Sequence, residues 1–355
     1  MNNFRFENKT SVYFGKGCVQ ESLGGLLENY GDTVLLAYGG GSIKRNGVYD
    51  EVTGILAAAG KRVVEFSGIM SNPTYAKVQE GAKLARENHV DLILAVGGGS
   101  VSDCCKIVSA QAKLDEDIWE MQYTKHALPT EFIPLVTIVT VFGTGSEMNN
   151  GAVITHEDKK IKGALWGAQA DFAFLDPMYA MSVPFPQVIS GAFDTLSHAM
   201  ETYFGKAEEN NLSDDLSEAV MRSVIRNIRV LLADHENYNA RSELAWASAM
   251  AENGILKIGK VTDFQCHMME HQLGAYTNCN HGAGLAVIHP PLYRHICKDG
   301  AARFARWAQN VWGIAPKGSD EETALAGVEA LADFIREIGL PTTFAELGIP
   351  ADTDL

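Results

Sequence analysis

Two short apolar runs, residues 33–38 (TVLLAY) and 91–96 (DLILAV), each lead directly into Gly-Gly-Gly-Ser. A strand that ends in glycines and is followed by a helix makes an anion site. Glycine lets the backbone approach a phosphate, and the helix start presents unpaired N–H groups. Further strand-sized runs lie at 62–66, 133–140 and 172–175. Helical spacing at 48–59 stops at Gly60, and a second helix is expected over 73–88 with Pro73 in its first turn. Apolar runs separated by helices predict a parallel sheet covered on both faces, with ligand loops at the carboxyl ends of its strands. Neither glycine loop carries the G-x-G-x-x-G fingerprint or a Walker A lysine. One such loop alone is no more than a tight strand-to-helix turn. Two of them, with Thr140-Val-Phe-Gly-Thr-Gly-Ser146 after a third run, favour loops that cradle a phosphate over plain turns.

The pattern changes near Pro184 and Pro186. Beyond residue 187 the periodicity is mostly helical, over 188–202, 213–232, 240–257 and 320–338, with an exposed turn expected at 208–215. The expected organisation is therefore an α/β dinucleotide-binding domain over 1–183 with a parallel sheet, and an all-helical metal and substrate domain over 184–355. A formal net charge of −15 argues against nucleic acid and anionic membranes as partners. No apolar stretch is long enough to cross a bilayer, and the first ten residues lack the apolar core of a signal peptide, so a cytoplasmic protein is expected. The six cysteines form no C-x-x-C pair and are expected to be reduced thiols. Cys266 and Cys279 lie near the histidines described next, and thiolate is a good zinc ligand, so both stay open as alternates.

Five of the ten histidines fall between 198 and 281, and four of them, His198, His267, His271 and His281, form a pattern. Asp194 and His198 are four residues apart on one expected helix and share a face, as do His267 and His271. His281 follows in Asn280-His-Gly-Ala-Gly284. Any one histidine is ordinarily a surface or hydrogen-bonded residue. Two i, i+4 pairs and a third His-Gly element in one helical domain instead suggest a metal site built from facing helices. Glu270 does not stand where a zincin H-E-x-x-H would need it. Glu201, seven residues after Asp194, could share its face, but a solvated or salt-bridged carboxylate is expected there.

Together these segments resemble the iron-containing (group III) alcohol dehydrogenases, and within them the NADPH-dependent butanol dehydrogenase-type aldehyde reductases. The resemblance runs from Phe14-Gly-Lys-Gly17 to about Leu347. It rests on Asn72-Pro73, Gly97-Gly-Gly-Ser-Val-Ser-Asp103, Thr144-Gly-Ser-Glu147, Asp176-Pro177, Asp194-Thr-Leu-Ser-His198, His267-Met-Met-Glu-His271 and His281-Gly282. It implies one divalent metal, Fe2+ or Zn2+, on Asp194, His198, His267 and His281, with His271 a non-ligand histidine near substrate and nicotinamide. It also implies a pyrophosphate loop at Gly98, Gly99 and Ser100, and a loop near the adenosine ribose at Gly40, Gly41 and Ser42. Asn72, Asp103, Thr140, Thr144, Asn149, Lys160 and Tyr179 join the cofactor residues. Phe142-Gly143 depart from the small polar residues or alanine usual in such proteins. Such proteins also usually continue for about another helical hairpin beyond residue 355, so the helical domain is expected to be short at that end.

The resemblance implies hydride transfer between nicotinamide and a primary alcohol or its aldehyde, in a homodimer. No carboxylate lies in the loop from Gly39 to Ser42, and Lys44 and Arg45 follow it, so NADP(H) is expected over NAD(H). A glycerol dehydrogenase-like polyol oxidoreductase is the nearest alternative. A metal-dependent hydrolase would suit the histidines but leave the glycine loops without a role.

Overall fold

A computed structural model describes residues 2–206 and 211–353. The chain forms two compact units, one of residues 7–183 and one of residues 184–353 with the described residues before position 7.

In the first unit, β1 (Ser11–Phe14), β2 (Thr33–Tyr38), β3 (Arg62–Phe66), β4 (Leu92–Gly97), β5 (Leu135–Val139) and β8 (Phe172–Leu175) form one sheet in the order β1-β8-β5-β4-β2-β3. Every pairing in it is parallel. All residues of β2 and β4 are buried. Their alternation feeds two cores: Leu35, Ala37, Ile93 and Ala95 pack on one face, and Val34, Leu36, Leu92 and Leu94 on the other. That is why these strands read as unbroken apolar runs. Truncating Leu94 to Ala is expected to cost about 2–5 kcal/mol.

The helices of this unit are α1 (Cys18–Leu27), the short α2 (Ser42–Arg45), α3 (Val48–Ala58), α4 (Tyr75–Glu87) and α5 (Gly99–Gln111). Pro73 does not open α4 as the spacing predicted. The side chain of Thr74 accepts from the Lys77 N–H and caps a helix that starts two residues later, at Tyr75, while the Pro73 carbonyl accepts from Thr155 N. An antiparallel pair, β6 (Gly151–His156) and β7 (Ile161–Trp166), was not anticipated, nor was β1.

The second unit is helical: α6 (Phe185–Tyr203), α7 (Leu212–Ala233), α8 (Tyr238–Glu252), α9 (Gln265–Thr277), α10 (His281–Ile296), α11 (Ala301–Trp312) and α12 (Asp320–Glu337). The helix expected over 240–257 is interrupted after α8 and resumes as a single 3-10 turn, Ile255–Lys257, behind Gly254 at φ 93°. The turn expected at 208–215 lies partly outside the described residues, as does Leu355 wholly. What is described of that turn is Asn211 and Asp214 forming a reciprocal cap on α7. One core runs through the unit, from Phe193 and Leu196 on α6 to Trp307 on α11 and Phe334 on α12. No described helix is long and apolar enough to cross a membrane.

Candidate metal centre

α6 carries Asp194, His198 and Glu201 at i, i+4 and i+7, along one buried stripe. α9 begins at Gln265 after Phe264, which sits at φ 52° and offers no side-chain cap. The cap comes from another helix. Glu201 accepts from Cys266 N at 2.7 Å and from His267 N at 3.1 Å, satisfying two of the unpaired N–H groups that a helix start leaves. α10 begins at His281, capped by the Asn280 side chain, which accepts from Ala283 N at 3.0 Å and also from the Ser190 hydroxyl of α6. Gly282 is required there, because a Cβ would land inside the contact distance of the Ser190 carbonyl oxygen. These contacts bring α6, α9 and α10 to one point.

At that point His267 Nε2 lies 3.5 Å from Asp194 Oδ1, His281 Nε2 lies 3.5 Å from the same oxygen, and His198 Nε2 lies 3.7 Å from it. Asp194, His267 and His281 form a group whose donor atoms all lie within 4.8 Å of one another. Among the described residues, neither Asp194 Oδ1 nor His267 Nε2 finds a hydrogen-bond partner, although both are buried. Buried polar atoms are ordinarily paired. Metal–ligand bonds of about 2.1 Å in tetrahedral array separate donor atoms by roughly 3.4 Å. The spacing of Asp194, His267 and His281, the orphaned atoms and the nitrogen–oxygen donor set therefore fit a divalent ion of the zinc or ferrous kind, with His198 close to Asp194 but outside that three-residue group.

The electrostatics agree. Burial alone would raise the Asp194 carboxyl, yet the imidazoles of His198, His281 and His267 hold it well below the usual carboxylate range. Burial would likewise pull His267 down, but the carboxylates of Asp194 and Glu201 push it up to about 10. Glu201 and Glu252 are also held low despite burial, by His267 for Glu201 and by Lys257 and His198 for Glu252. His198 is lowered, chiefly by burial. Buried carboxylates that stay ionised make this a place that attracts positive charge.

His271 is buried beside the cluster, its ring centroid 5.9 Å from that of His281 and 6.3 Å from that of His267. It groups with Glu270 and His281 rather than with Asp194. Cys266 points elsewhere: its Sγ lies 3.1 Å from His289 Nδ1, and burial pushes the thiol far up. Cys279 Sγ lies 3.9 Å from Glu270 Oε1. Of the two roles expected of Glu201, solvated or salt-bridged, it has the second: it is paired with His267 in the interior. It is 4% exposed and bonded through Oε2 to His267 Nδ1. Its i+7 spacing from Asp194 was the available signal. Glu270, bonded to His281 Nδ1, and the fully buried His289, 2.6 Å from the Ser197 hydroxyl, were missed because their partners lie on other helices. Burial lowers His289 to about 4, so it is neutral.

In the α/β unit, β4 delivers Gly97 and Gly98, and Gly99 opens α5. A Cβ on Gly99 would collide with the Thr144 side chain, so the loop after β5 is seated directly on the glycine loop. Thr140 is buried, and its N–H donates to the Gly97 carbonyl at 2.9 Å. Ser100 donates its hydroxyl to the Ser71 carbonyl, next to the half-buried Asn72. Asp103 holds protein groups: Ser146 Oγ at 2.5 Å and Val153 N at 2.9 Å. The fully buried Lys106, not singled out in the sequence, donates to Ser146 Oγ at 2.8 Å, Asn149 Oδ1 at 2.9 Å and the Gly151 carbonyl at 2.7 Å. It ties the loop bearing Asn149 to α5.

The loop after β2 passes through Gly40 to Gly41 at φ 92°, a conformation that favours glycine, and Ser42 opens α2. A carboxylate overlooked in the sequence lies beside it. Glu65 accepts from Tyr38 at 2.5 Å and from Tyr49, and lies 3.4 Å from Lys44 Nζ. Lys160 sits at φ 50° in the β6–β7 turn. Tyr179 is buried in the 3-10 turn Pro177–Ala180, its hydroxyl raised by burial and by Glu51.

Comparison with known proteins places these features. The family described as "Iron-containing alcohol dehydrogenase" matches residues 9–177, and "Fe-containing alcohol dehydrogenase family, C-terminal" matches residues 188–354. The chain is 37% identical over 355 residues to the NADH-dependent butanol dehydrogenase A of Clostridium acetobutylicum, covering 99% of this chain and 91% of that protein. It is 36% identical to the NADPH-dependent aldehyde reductase YqhD of Escherichia coli, covering 98% of this chain and 90% of that protein. The crystal structure of an NADH-dependent butanol dehydrogenase A from Thermotoga maritima superposes with a TM-score of 0.94 at 35% identity, over 99% of this chain and 88% of that one. The overall fold is shared with that crystal structure, and the chain belongs to the iron-containing alcohol dehydrogenase family.

Proposed function

We propose that this chain transfers hydride between a nicotinamide dinucleotide and a primary alcohol or its aldehyde, of the butanol and butanal kind. One divalent ion, Fe2+ or Zn2+, would be held by Asp194, His198, His267 and His281. The observation that carries the reading is the convergence of three imidazole nitrogens on the orphaned Asp194 Oδ1. When bound, the ion supplies Lewis acidity toward the alcohol or aldehyde oxygen, and the nicotinamide carries the hydride. Three imidazoles and one carboxylate accept either metal. His271, buried beside His281, relays the alcohol proton at its imidazole. Gly98, Gly99 and Ser100, at the start of α5, hold the pyrophosphate. Thr140, Thr144 and Asn149 line the dinucleotide, with Asn72, Asp103, Lys160 and Tyr179 assigned to it by the family resemblance.

NADP(H) is proposed over NAD(H). Gly40, Gly41 and Ser42 place no carboxylate in the ribose loop, and Glu65 beside it is already engaged by Tyr38, Tyr49 and Lys44. The named relatives include both NADH- and NADPH-dependent proteins, so the preference needs its own measurement. A cytoplasmic location is supported by six free cysteines, as a reducing compartment maintains them. A homodimer rests on the resemblance alone and is checked by light scattering.

The test is loss of NADPH absorbance with butanal, with and without a chelator. Turnover that the chelator abolishes and added metal restores supports the reading. Absence of turnover with any aldehyde would sink it. His271→Ala at full metal content is expected to lower kcat, and an unchanged kcat removes His271 from the proton path.

A further inference from the structure

We propose that Glu201 and Glu270 are positioning residues for the metal centre, each fixing one ligand imidazole through its Nδ1 so that Nε2 faces Asp194. This rests on the metal-centre reading above.

The two pairs repeat one geometry with different helices. Glu201 on α6 is bonded to His267 Nδ1 on α9, and Glu270 on α9 is bonded to His281 Nδ1 on α10. In both cases the opposite ring nitrogen lies 3.5 Å from Asp194 Oδ1. An ionised carboxylate only accepts hydrogen bonds, so the Nδ1 it touches is the donor and Nε2 is the nitrogen left to offer a lone pair to an ion. That is the tautomer a ligand needs, and a carboxylate partner also raises the basicity of the ring. Both carboxylates are out of solvent, at 4% exposure for Glu201 and 0% for Glu270. Charge is placed there only with partners.

Glu201 acts at two levels. The same carboxylate that grips the His267 ring also accepts from the backbone N–H groups of Cys266 and His267. It therefore sets both where α9 begins and how its first histidine is turned. Behind it, a buried chain runs from the Cys266 thiol through His289 to the Ser197 hydroxyl, tying α9 to α10 and α6. Glu270 has room for its task because Gly284 faces it; a Cβ there would press on Glu270 Cγ at 3.0 Å. The third ring differs: among the described residues, His198 Nδ1 has no hydrogen-bond partner. Two of the three imidazoles are thus held in register and one is left to adjust.

The test titrates Co2+ into the chelator-treated full-length protein and into Glu201→Gln and Glu270→Gln, by competition with a coloured chelator and by the d–d absorption of the ion. Metal-free thermal unfolding is followed in parallel. Glutamine keeps an acceptor oxygen and the shape but removes the charge. Each variant is expected to bind Co2+ about 10–100-fold more weakly than the wild type, with an altered d–d spectrum. Wild-type affinity and spectrum in both variants would overturn the proposal. If one variant fails to fold, the other carries the test, since the two grip different rings. Loss of fold in both assigns the carboxylates to stability alone and overturns it as well. A wild-type protein that takes up no stoichiometric Co2+ overturns the metal-centre reading itself, an outcome distinct from equal binding by all three.

Discussion

His267 Nε2 on α9 and Asp194 Oδ1 on α6 face each other at 3.5 Å, buried and without a hydrogen bond between them or to any other described group. Two such atoms gain most from a shared cation. Asp194→Ala is expected to weaken metal retention by more than about 100-fold, beyond the effect of removing a partner that only orients a ligand. Elemental analysis after dialysis reads the loss. Adding Zn2+ or Fe2+ to chelator-treated wild type is expected to raise the unfolding temperature, by the equivalent of about 2.7 kcal/mol at one hundred times Kd. Asp194→Ala should show no such rise, and an equal rise in both proteins would contradict the assignment.

Glu147 gives a stability prediction in the other unit. Burial raises its carboxyl from 4.5 to about 7, and its Oε1 lacks a hydrogen bond. Because the folded pKa is the higher one, the folded state binds more protons between pH 4.5 and 7. Stability contributed by this group is present below that window and lost as pH rises through it, a difference of about 3 kcal/mol. Glu147→Gln is therefore expected to unfold at a higher temperature than wild type at pH 8, with the gap closing at pH 5. A gap that widens toward acid would reverse the sign and refute the argument.

Glu65 bears on the dinucleotide site proposed above. It holds Lys44 at 3.4 Å beside the loop of Gly40 to Ser42. Removing its charge with Glu65→Gln frees Lys44 for an anionic group. KM for NADPH is expected to fall a few-fold at most while KM for NADH changes little, since an exposed charge contact is weak. Steady-state kinetics with both cofactors read the ratio, and a shift toward NADH would count against Lys44.

Gly282 and Gly54 form a matched pair of glycine tests. Gly282 meets the Ser190 backbone, whereas Gly54, inside α3, has open space where a Cβ would go. Gly282→Ala should destabilise by about 1–3 kcal/mol through overpacking and weaken metal binding by displacing His281. Gly54→Ala should stabilise by about 0.4–1 kcal/mol and leave metal binding alone. Thermal unfolding of the two variants with and without metal distinguishes them.

The strands with buried faces were legible in advance. Residues 33–38 and 172–175 match β2 and β8 to the residue, because glycine, charge or proline bounds each apolar run, and 62–66 match β3 although only Phe66 of it is buried. β1 escaped notice because Ser11 and Phe14 are exposed at its ends. The β6–β7 pair was hidden because its residues only half alternate and its anchoring depends on Lys106, distant in sequence. In the helical unit, i, i+4 spacing marked the faces of α6 and α9. It could not reveal that Glu201 reaches His267 or that Glu270 reaches His281, because spacing describes one helix and those bonds join two. Glu65 was invisible for the same reason, being a neighbour of the loop of Gly40 to Ser42 only through the pairing of β2 with β3.

The strand order has a consequence for the chain as it is made. β1 pairs with β8 and with no other strand of its sheet, and β8 is the last strand of that sheet to be synthesised. At typical rates of about 5–20 residues per second, the segment Ser11–Phe14 waits roughly ten to thirty seconds for its partner. The central strands can close during that interval, but the sheet's edge is finished only when Phe172–Leu175 slides between β1 and β5. A ribosome stalled just before that point should hold a nascent chain whose first strand is still open to protease.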